Sequence, residues 1–406
     1  MQWLQAAAAI FYTNFHGTSL EEAFGGPELE RATWLSLVAV LFFAVGMRLA
    51  LQRTRSQYHG ILADGMRVNI GKAFLCYLAA FAVASVAGAF AFSVPRLTQI
   101  IFAFLTIKWV AVFILAYAVI EQRSGYIFLG LAILLEFAVG LLGYFAGFKS
   151  VFFLLLVVIM VSPLALRGKR LISISLIAGL LFSVGVVWTA IKGDYREFLN
   201  QGREEQVVLV SVGQQIQKIQ ELLENFTWQN LNSGLEDLML RLSYVHYFAL
   251  TLITVPDSIP HENGALWLGA LKHVVTPRLF FPDKAAISDS ERTSFYTGTE
   301  VSGVEQGTSI GIGYVGESYI DFGPVFMFVP VFLFGLFCGL IYRVFVVRAR
   351  YKLLGAAIAT SILIFGAYTI ETSNIKLVGG NLMAVLVLGT LYLGFGGRLN
   401  GWLTGK

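Results

Sequence analysis

The chain has 406 residues, of which 57% are hydrophobic and 13% are charged, and its formal net charge is +4. The charged share is roughly half that of an average soluble domain, so the composition excludes a water-soluble globule and indicates a polytopic membrane protein. The cations lie in short clusters between apolar runs, which is typical of topology signals and not of a surface that binds nucleic acid.

Hydrophobic runs of about 17–25 residues are long enough to cross a bilayer as helices. The run Ala6–Tyr12 is shorter, and without a preceding basic region it does not predict a signal peptide. It is either an interfacial helix or the remnant of a longer first span. The later runs predict nine spans: Trp34–Leu51, Asn69–Ser93, Leu97–Ile120, Tyr126–Phe145, Val151–Leu166, Leu171–Ile191, Tyr319–Val344, Leu353–Glu371 and Leu377–Gly396.

Lys and Arg concentrate in alternate connections between these spans, and the positive-inside rule assigns such connections to the cytoplasm together with the C-terminus. The polar interval Lys192–Glu317 then faces the opposite side of the membrane. The chain divides into a six-span bundle (1–191), a large helical loop (192–317) and three C-terminal spans (318–406). The basic residues are Arg48, Arg53, Arg55, Arg67, Arg167, Lys169, Arg170, Arg343, Arg348, Arg350, Lys352, Arg398 and Lys406.

The polar interval is itself expected to be largely helical. Gly202–Asn225 has apolar residues at helical spacing and predicts an amphipathic helix, which we expect to pack on its neighbours or lie at the bilayer surface. Leu235–Val255 predicts a second helix, and Trp267–Val275 predicts a third that ends before Pro277. Phe281–Val304 is predicted to be irregular.

Ionisable residues within spans are costly and usually functional. Lys108 and Glu136 lie on consecutive spans, and a structural ion pair between them is favoured over a proton path; Glu371 lies at a span end. The histidines show no metal-binding spacing, so no metal site and no cofactor is expected. Gly311-x-Gly313-x-x-Gly316 follows no βαβ pattern, so these glycines predict a tight chain path and not a dinucleotide site.

The cations of the polar interval are suited to an anionic ligand, because arginine grips phosphate oxygens bidentately and lysine supplies a compact charge. Two prolines fix the backbone in Thr276–Lys284, around two of these cations. Glu317 follows at the outer mouth of the seventh span, where it either accepts a proton or caps a helix. The cations are Arg196, Arg203, Arg241, Lys272, Arg278, Lys284 and Arg292.

Three elements occur in a recognisable order: Arg241-Leu-Ser, then Pro-Arg-Leu-x-x-Pro-x-Lys at Pro277–Lys284, then Gly-Glu-x-Tyr-x-Asp-Phe-Gly at Gly316–Gly323. Over roughly Lys149–Arg343, this order resembles that of bacterial O-antigen and exopolysaccharide repeat-unit polymerases of the Wzy type. The family often has a Gly-x-Arg-Ser element where this chain has Gly147-Phe-Lys-Ser. Lysine at 149 keeps the charge but not the bidentate fork.

The resemblance implies an all-α core like that of GT-C membrane glycosyltransferases, in the bacterial inner membrane. It implies that undecaprenyl-pyrophosphate-linked oligosaccharides are donor and acceptor at the periplasmic face, with a chain-length regulator as a candidate partner. The implied catalytic residues are Glu317, as base or acceptor orienter, Arg241 and Arg278. The implied substrate-binding residues are Lys284, Arg196 and Lys149 for the pyrophosphate, and Tyr319 and Trp267 for sugar rings.

Two other functions remain open at this point. An O-antigen ligase uses the same kind of donor and a similar outer loop but transfers the chain to a lipid A core sugar. A flippase or transporter for lipid-linked oligosaccharides is expected to show paired half-sequence symmetry and polar groups near mid-membrane. The sequence shows no internal repeat, and its polar groups concentrate at one face of the membrane, which favours a transferase.

Overall fold

The described part of the chain is helical and contains no strand, which confirms the predicted all-α class. It is seen in a computed structural model that describes residues 2–22, 26–52, 54–91, 96–142, 147–162, 169–203, 208–276, 280–281, 284, 288–303, 309–367 and 369–405. Its α-helices are α1 (Gln2–His16), α2 (Pro27–Ala50), α3 (Tyr58–Arg67), α4 (Ile70–Ala89), α5 (Thr98–Leu105), α6 (Ile107–Gln122), α7 (Tyr126–Leu141), α8 (Lys149–Val161), α9 (Lys169–Asn200), α10 (Val212–Glu224), α11 (Trp228–Leu242), α12 (Val245–Thr254), α13 (Ala265–Val275), α14 (Asp289–Thr297), α15 (Tyr314–Phe326), α16 (Phe328–Tyr342), α17 (Lys352–Ala367) and α18 (Asn374–Thr404).

Six helical stretches of the described residues are long and apolar enough to cross a membrane, which supports the predicted membrane protein. Three further predicted spans correspond to the shorter apolar helices α7, α8 and α17. The six stretches are Pro27–Ala50, Ile70–Gly88, Thr98–Gln122, Ile174–Asn200, Phe328–Val347 and Asn374–Thr404.

The basic connections and the polar interval lie at opposite ends of this bundle. At the basic end, Asn69 N donates to Leu403 O at 2.8 Å, Arg343 Nη1 donates to Ala50 O at 3.4 Å, and Leu353 N donates to a side-chain oxygen of Asp64. The basic residues described at this end are Arg48, Arg55, Arg67, Arg343, Arg348, Arg350, Lys352 and Arg398. Arg53, Arg167 and Lys406 lie outside the described residues, as do the side chains of Lys169 and Arg170.

The predicted boundaries of the polar interval fall inside helices. α9 continues nine residues past Ile191 as far as Asn200, and α15 begins at Tyr314. The predicted seventh span is also interrupted, because Gly323 has a positive φ of 69° directly before Pro324 and separates α15 from α16. The helical extension of α9 places Lys192 and Arg196 on a rigid element and not on a loop.

Two predictions for the polar interval were wrong. Leu235–Val255 is not one helix, because the backbone of Ser243 leaves the helical conformation and separates α11 from α12. Phe281–Val304 is not wholly irregular, because α14 forms within it. The Ser288 side chain accepts from Glu291 N at 3.2 Å and so starts this helix.

The other loop helices follow the predicted pattern with shifted ends. α10 starts only at Val212, where Ser211 and Gln214 form a reciprocal capping box. α13 starts two residues before the predicted Trp267 and ends at Val275, as predicted. Helix α1 packs against α2 and α11 at the polar end of the bundle, which supports a helix that does not span.

The predicted ion pair between Lys108 and Glu136 is confirmed. Lys108 Nζ lies 2.8 Å from Glu136 Oε2, and the Tyr77 hydroxyl donates to Glu136 Oε1 at 3.3 Å. The lysine also lies over the ring of Trp109, 4.5 Å from its centroid. These contacts satisfy both charges and join α4, α6 and α7, which is a structural role.

Helices α2 and α16 pack closely because glycine occurs where their backbones meet. A Cβ atom at Gly335 would lie 2.1 Å from the carbonyl oxygen of Phe43, and one at Gly46 would lie 2.2 Å from that of Phe332. Both obstacles are backbone atoms, which cannot rotate away. The short distance between the two helices therefore requires glycine at both positions.

We predict that Gly335→Ala lowers the free energy of unfolding by about 1–3 kcal/mol, the usual cost of overpacking. Thermal unfolding of the purified protein in detergent measures this effect. Gly179→Ala on α9 is the matched control, because a Cβ there meets nothing within 4 Å. Equal melting temperatures for the two variants would contradict the packing argument.

Candidate functional site

A cavity of about 880 Å³ opens at the polar end of the bundle. Its walls come from α1, α2, α9, α11, α12, α14, α18, the segment before α15 and the link between α17 and α18. Three tyrosines, Tyr12, Tyr244 and Tyr247, supply aromatic surface. The charged residues that line it are Lys192, Asp237, Arg241, Asp289, Glu371 and Lys376.

Cations predominate on the α9 and α11 side of the cavity. Lys192 and Arg241 line it, and both interact electrostatically with Lys149 at the start of α8. Arg196, one turn beyond Lys192, adds to the same positive field. Within the described residues, none of the side chains of Lys149, Lys192 and Arg241 makes a hydrogen bond or an ion pair within 4 Å.

The position of Arg241 follows from the packing of α11 on α9. A Cβ atom at Gly234 would lie 2.7 Å from both the Cβ atom of Ala190 and the carbonyl oxygen of Val186, so the two helices are in direct contact there. Thr227 starts α11 with a capping box that includes Asn230. From this start, Arg241 falls in the last turn of α11, beside Lys192.

Glu371 faces the cations from the link between α17 and α18. The predicted eighth span, Leu353–Glu371, was too long at its end: α17 ends at Ala367, so Glu371 lies outside the helix. Gln5 Nε2 on α1 donates to Glu371 Oε2 at 3.3 Å. Burial raises the pKa of the Glu371 carboxyl, while the charges of Arg241 and Lys149 and the hydrogen bond from Gln5 lower it.

The glycine-rich segment before α15 holds this link in place. Gly313 has a φ of 94°, and a Cβ atom on it would lie 2.3 Å from the carbonyl oxygen of Ile370. Tyr314 N donates to Thr372 O at 2.9 Å. The glycines therefore provide a close approach between two chain segments, which confirms the predicted tight path.

An ion pair closes the side of the cavity formed by α14 and α18. Lys376 Nζ lies 2.8 Å from Asp289 Oδ2 and donates to Ser309 Oγ at 2.6 Å. Asp289 is buried, whereas Lys376 is exposed. This lysine is thus already neutralised, in contrast to Arg241 and Lys192.

Glu317 is placed behind the cavity wall and does not line it. Its side chain is 1% exposed, its Oε1 accepts from Arg292 Nη1 at 3.0 Å, and its Oε2 accepts from Asn374 N at 2.7 Å. Burial raises the pKa of this carboxyl to about 7, although Arg292 and the N–H of Asn374 act in the opposite direction. Of the two predicted roles, this geometry is that of a cap on the N-terminus of α18.

The aromatic residues predicted to stack on sugars have structural contacts. Tyr319 is 1% exposed and its hydroxyl donates to Val255 O at 3.0 Å, so it offers no ring face to the cavity. Trp267 Nε1 donates to Ser318 Oγ at 3.0 Å. The carboxylate of Asp321 accepts from the N–H groups of Leu266 and Trp267 and so caps α13.

Lys284 has a similar structural contact at the other end of α13. Its ammonium donates to the carbonyl oxygens of His273 and Thr276, where the negative end of a helix favours a cation. Arg278, the second cation of the Thr276–Lys284 element, lies outside the described residues. The described part of this element does not reach the cavity.

The structure thus brings together Arg241, Arg196 and Lys149 from the predicted set. It adds Lys192. The predicted sixth span ended at Ile191, so Lys192 was treated as the first residue of a loop and not as a residue of the site. The structure also adds Glu371, Asp289 and Lys376. In the described part of the chain, no group of three His, Cys, Asp or Glu residues has the arrangement of a metal site.

Residues 28–370 match the family described as "Domain of unknown function (DUF8712)", and the chain belongs to this family. No curated protein and no solved structure matches the chain. The matched segment carries the cations of α8, α9 and α11. Six residues that line the cavity lie outside it: Ala9, Tyr12, Glu371, Thr372, Ser373 and Lys376.

We predict that Glu317 makes folding stability pH-dependent. Because its folded pKa of about 7 lies above the ordinary 4.5, the folded state binds this proton more tightly than the unfolded state. The contribution of this proton to the free energy of unfolding is complete below pH 4.5 and is lost as the pH rises through 7. The total loss is about 3 kcal/mol.

Melting temperatures of the wild type and of Glu317→Gln between pH 4.5 and 8 measure this contribution. The wild type is expected to lose more stability over this range than the variant, since glutamine does not titrate. Comparing the two proteins cancels the effect of other acids. Parallel curves would show that the carboxylate is ionised at all of these pH values.

Proposed function

We propose that this protein is a membrane glycosyltransferase that polymerises undecaprenyl-pyrophosphate-linked oligosaccharide repeat units into O-antigen or exopolysaccharide. The observation that carries the proposal is a group of three cations at one cavity: Lys192 and Arg241 line it, and Lys149 interacts electrostatically with both. None of the three forms an ion pair within 4 Å among the described residues, although Asp237 and Glu371 lie within electrostatic reach. Like charges repel, and the partial burial of Lys192 reduces screening by water, whereas Lys149 and Arg241 are exposed. A site of this kind is suited to a multiply charged anion such as a pyrophosphate.

The shape and position of the cavity fit a lipid-linked substrate. Its volume of about 880 Å³ lies within the range of about 300–1,000 Å³ for small-molecule sites. It lies at the end of the apolar helices, so a polyprenyl tail can remain in the bilayer while its phosphates enter. Tyr12, Tyr244 and Tyr247 offer rings with polar edges to sugars.

In the proposed reaction, a hydroxyl of the acceptor repeat unit attacks the anomeric carbon of the donor, and the lipid pyrophosphate leaves. The leaving group gains negative charge in the transition state. Fixed cations stabilise this charge without reorganisation, which is generally the largest catalytic contribution that an enzyme makes. Arg241 and Lys192, with Lys149 and Arg196 nearby, supply this field, and no metal ion is needed for it.

The proposed membrane arrangement has nine spans, the cavity at the periplasmic face of a bacterial inner membrane, the basic connections in the cytoplasm and a GT-C-like core. The separation of the basic connections from the cavity supports this orientation. Lys284 is not part of the proposed cavity site, because its ammonium group binds carbonyl oxygens at the end of α13. Arg278 lies outside the described residues, and its role stays a prediction. Glu317 is proposed as a positioning residue that fixes α18.

An O-antigen ligase is the second candidate, because the same cations and cavity would serve its donor. The cavity lies at one end of the bundle and not at mid-membrane, which favours either transferase over a flippase or transporter. The two transferases differ in the acceptor. Loss of a polymerase and loss of a ligase therefore leave different lipid-linked products in the cell.

We expect deletion of the gene to abolish the polymer ladder and to leave lipid-linked single repeat units. Extraction and electrophoresis of the glycolipids, with the gene restored on a plasmid as control, provides the test. Accumulation of long lipid-linked polymer would instead identify a ligase. An unchanged set of glycans would contradict both transferases.

We expect Arg241→Ala to weaken the binding of undecaprenyl pyrophosphate by about 10- to 100-fold, the usual effect of losing a charge-assisted hydrogen bond. Binding to the purified protein in nanodiscs measures this. Arg203→Ala is the matched control, since Arg203 is an exposed cation of the same polar interval that does not line the cavity. Equal binding by the two variants would remove Arg241 from the pyrophosphate site.

A further inference from the structure

The link between α17 and α18 forms a polar wall of the cavity that the donor site does not account for. Glu371, Thr372 and Ser373 follow one another along this wall. The hydrogen bond from Tyr314 N to Thr372 O and the close approach at Gly313 fix its backbone. The wall therefore presents one carboxylate and two hydroxyl groups at fixed positions, and the Thr372 hydroxyl is held by a hydrogen bond with the Thr369 hydroxyl at 2.9 Å.

Two successive polar side chains at the end of this link are buried and have no hydrogen-bond partner among the described residues. Ser373 lines the cavity and is 1% exposed, and its Oγ is one of these atoms. Asn374 is 0% exposed and lies behind it, outside the lining of the cavity. Buried polar groups are normally satisfied, so the Ser373 hydroxyl indicates a place where a ligand with hydroxyl groups completes the bonds. The first turn of α18 adds a partial positive charge.

Glu371 is held at this wall with one oxygen left available. Gln5 Oε1 accepts from Ile370 N at 2.8 Å, which directs Gln5 Nε2 towards Glu371 Oε2. Among the described residues, Glu371 Oε1 has no hydrogen-bond donor and the carboxylate has no ion pair within 4 Å. The charged and titratable groups that face it are Arg241 on α11, Lys149 on α8 and Tyr244 between α11 and α12.

We propose that Glu371, Thr372 and Ser373 bind the acceptor sugar and that Glu371 accepts the proton of its attacking hydroxyl. This assignment rests on the proposed glycosyl transfer and gives its acceptor side. A carboxylate and hydroxyls suit sugar hydroxyl groups, which both donate and accept hydrogen bonds. Glu317 cannot take this role, because both of its oxygens are occupied behind the wall.

The hydroxyl oxygen of the acceptor forms a bond to the anomeric carbon as the bond from that carbon to the pyrophosphate oxygen breaks. The hydroxyl proton passes to Glu371 Oε1. The bonding electrons leave with the pyrophosphate, whose charge is stabilised by Arg241 and Lys192, and water later removes the proton from Glu371.

The test compares Glu371→Gln with wild type in two assays on the purified protein in nanodiscs. Binding uses undecaprenyl pyrophosphate, and transfer uses lipid-linked single repeat units extracted from the deletion strain. We expect the variant to transfer at least about 100-fold more slowly, as for loss of a general base. It should bind undecaprenyl pyrophosphate as tightly as wild type or a few-fold more tightly, because a negative charge next to Arg241 and Lys149 is removed.

Two further measurements separate catalysis from structure. The wild-type transfer rate should fall at acid pH as Glu371 is protonated, and the residual rate of Glu371→Gln should lack this fall. Ser373→Ala should raise the KM for the acceptor by about 3- to 10-fold with unchanged undecaprenyl pyrophosphate binding. Glu197→Gln, an exposed glutamate of α9, is the charge-matched control.

Several outcomes would overturn the assignment. If Glu371→Gln transfers within threefold of the wild-type rate, Glu371 is not the base. If Glu371→Gln loses undecaprenyl pyrophosphate binding and transfer equally, the substitution has damaged the structure and Glu371 is not specific to the transfer step. Independently, an unchanged KM for the acceptor in Ser373→Ala would show that Ser373 does not bind the acceptor. Wild-type protein that neither binds undecaprenyl pyrophosphate nor elongates repeat units would instead overturn the proposed function, and this assignment with it.

Discussion

The buried carboxylate of Glu317 is the interaction on which the polar end of the molecule depends. It joins Arg292 of α14 to the first N–H group of α18, and in doing so brings Asp289 next to Lys376. Removing one partner of a buried pair typically costs about 3–5 kcal/mol, because the other charge is left without compensation. The cavity has a defined wall on this side because one ion pair in the interior fixes another at the surface.

The two sides of the cavity are built by different forces. On the cation side, α9 and α11 are in contact through Gly234, so helix packing sets the position of Arg241. On the other side, backbone hydrogen bonds and the positive φ of Gly313 set the position of the link that carries Glu371. A helix pair is rigid, which suits the proposed pyrophosphate site, whereas a link outside the helices tolerates changes of sequence more readily and suits the proposed acceptor site.

Hydropathy predicted where the apolar helices lie, because few polar residues interrupt them, but it could not predict where each helix ends. For that reason Lys192 was assigned to a loop, although α9 carries it into the cavity. Arg241 was a candidate from the sequence because it is one of the cations of the polar interval and part of the first element of the family resemblance, and the structure places it in the lining of the cavity. The ion pair between Glu317 and Arg292 joins two separate segments of the chain, so no local sequence pattern predicts it. The helix α14 did have a local signal, the Ser-x-x-Glu start at Ser288.

The match to the DUF8712 family ends at residue 370, one position before Glu371, and begins after the whole of α1. The wall of the cavity therefore combines residues inside the matched segment, such as Lys192 and Arg241, with residues outside it, such as Tyr12 and Glu371. A polypeptide cut back to residues 28–370 would lack both α1 and α18, and with them part of this wall.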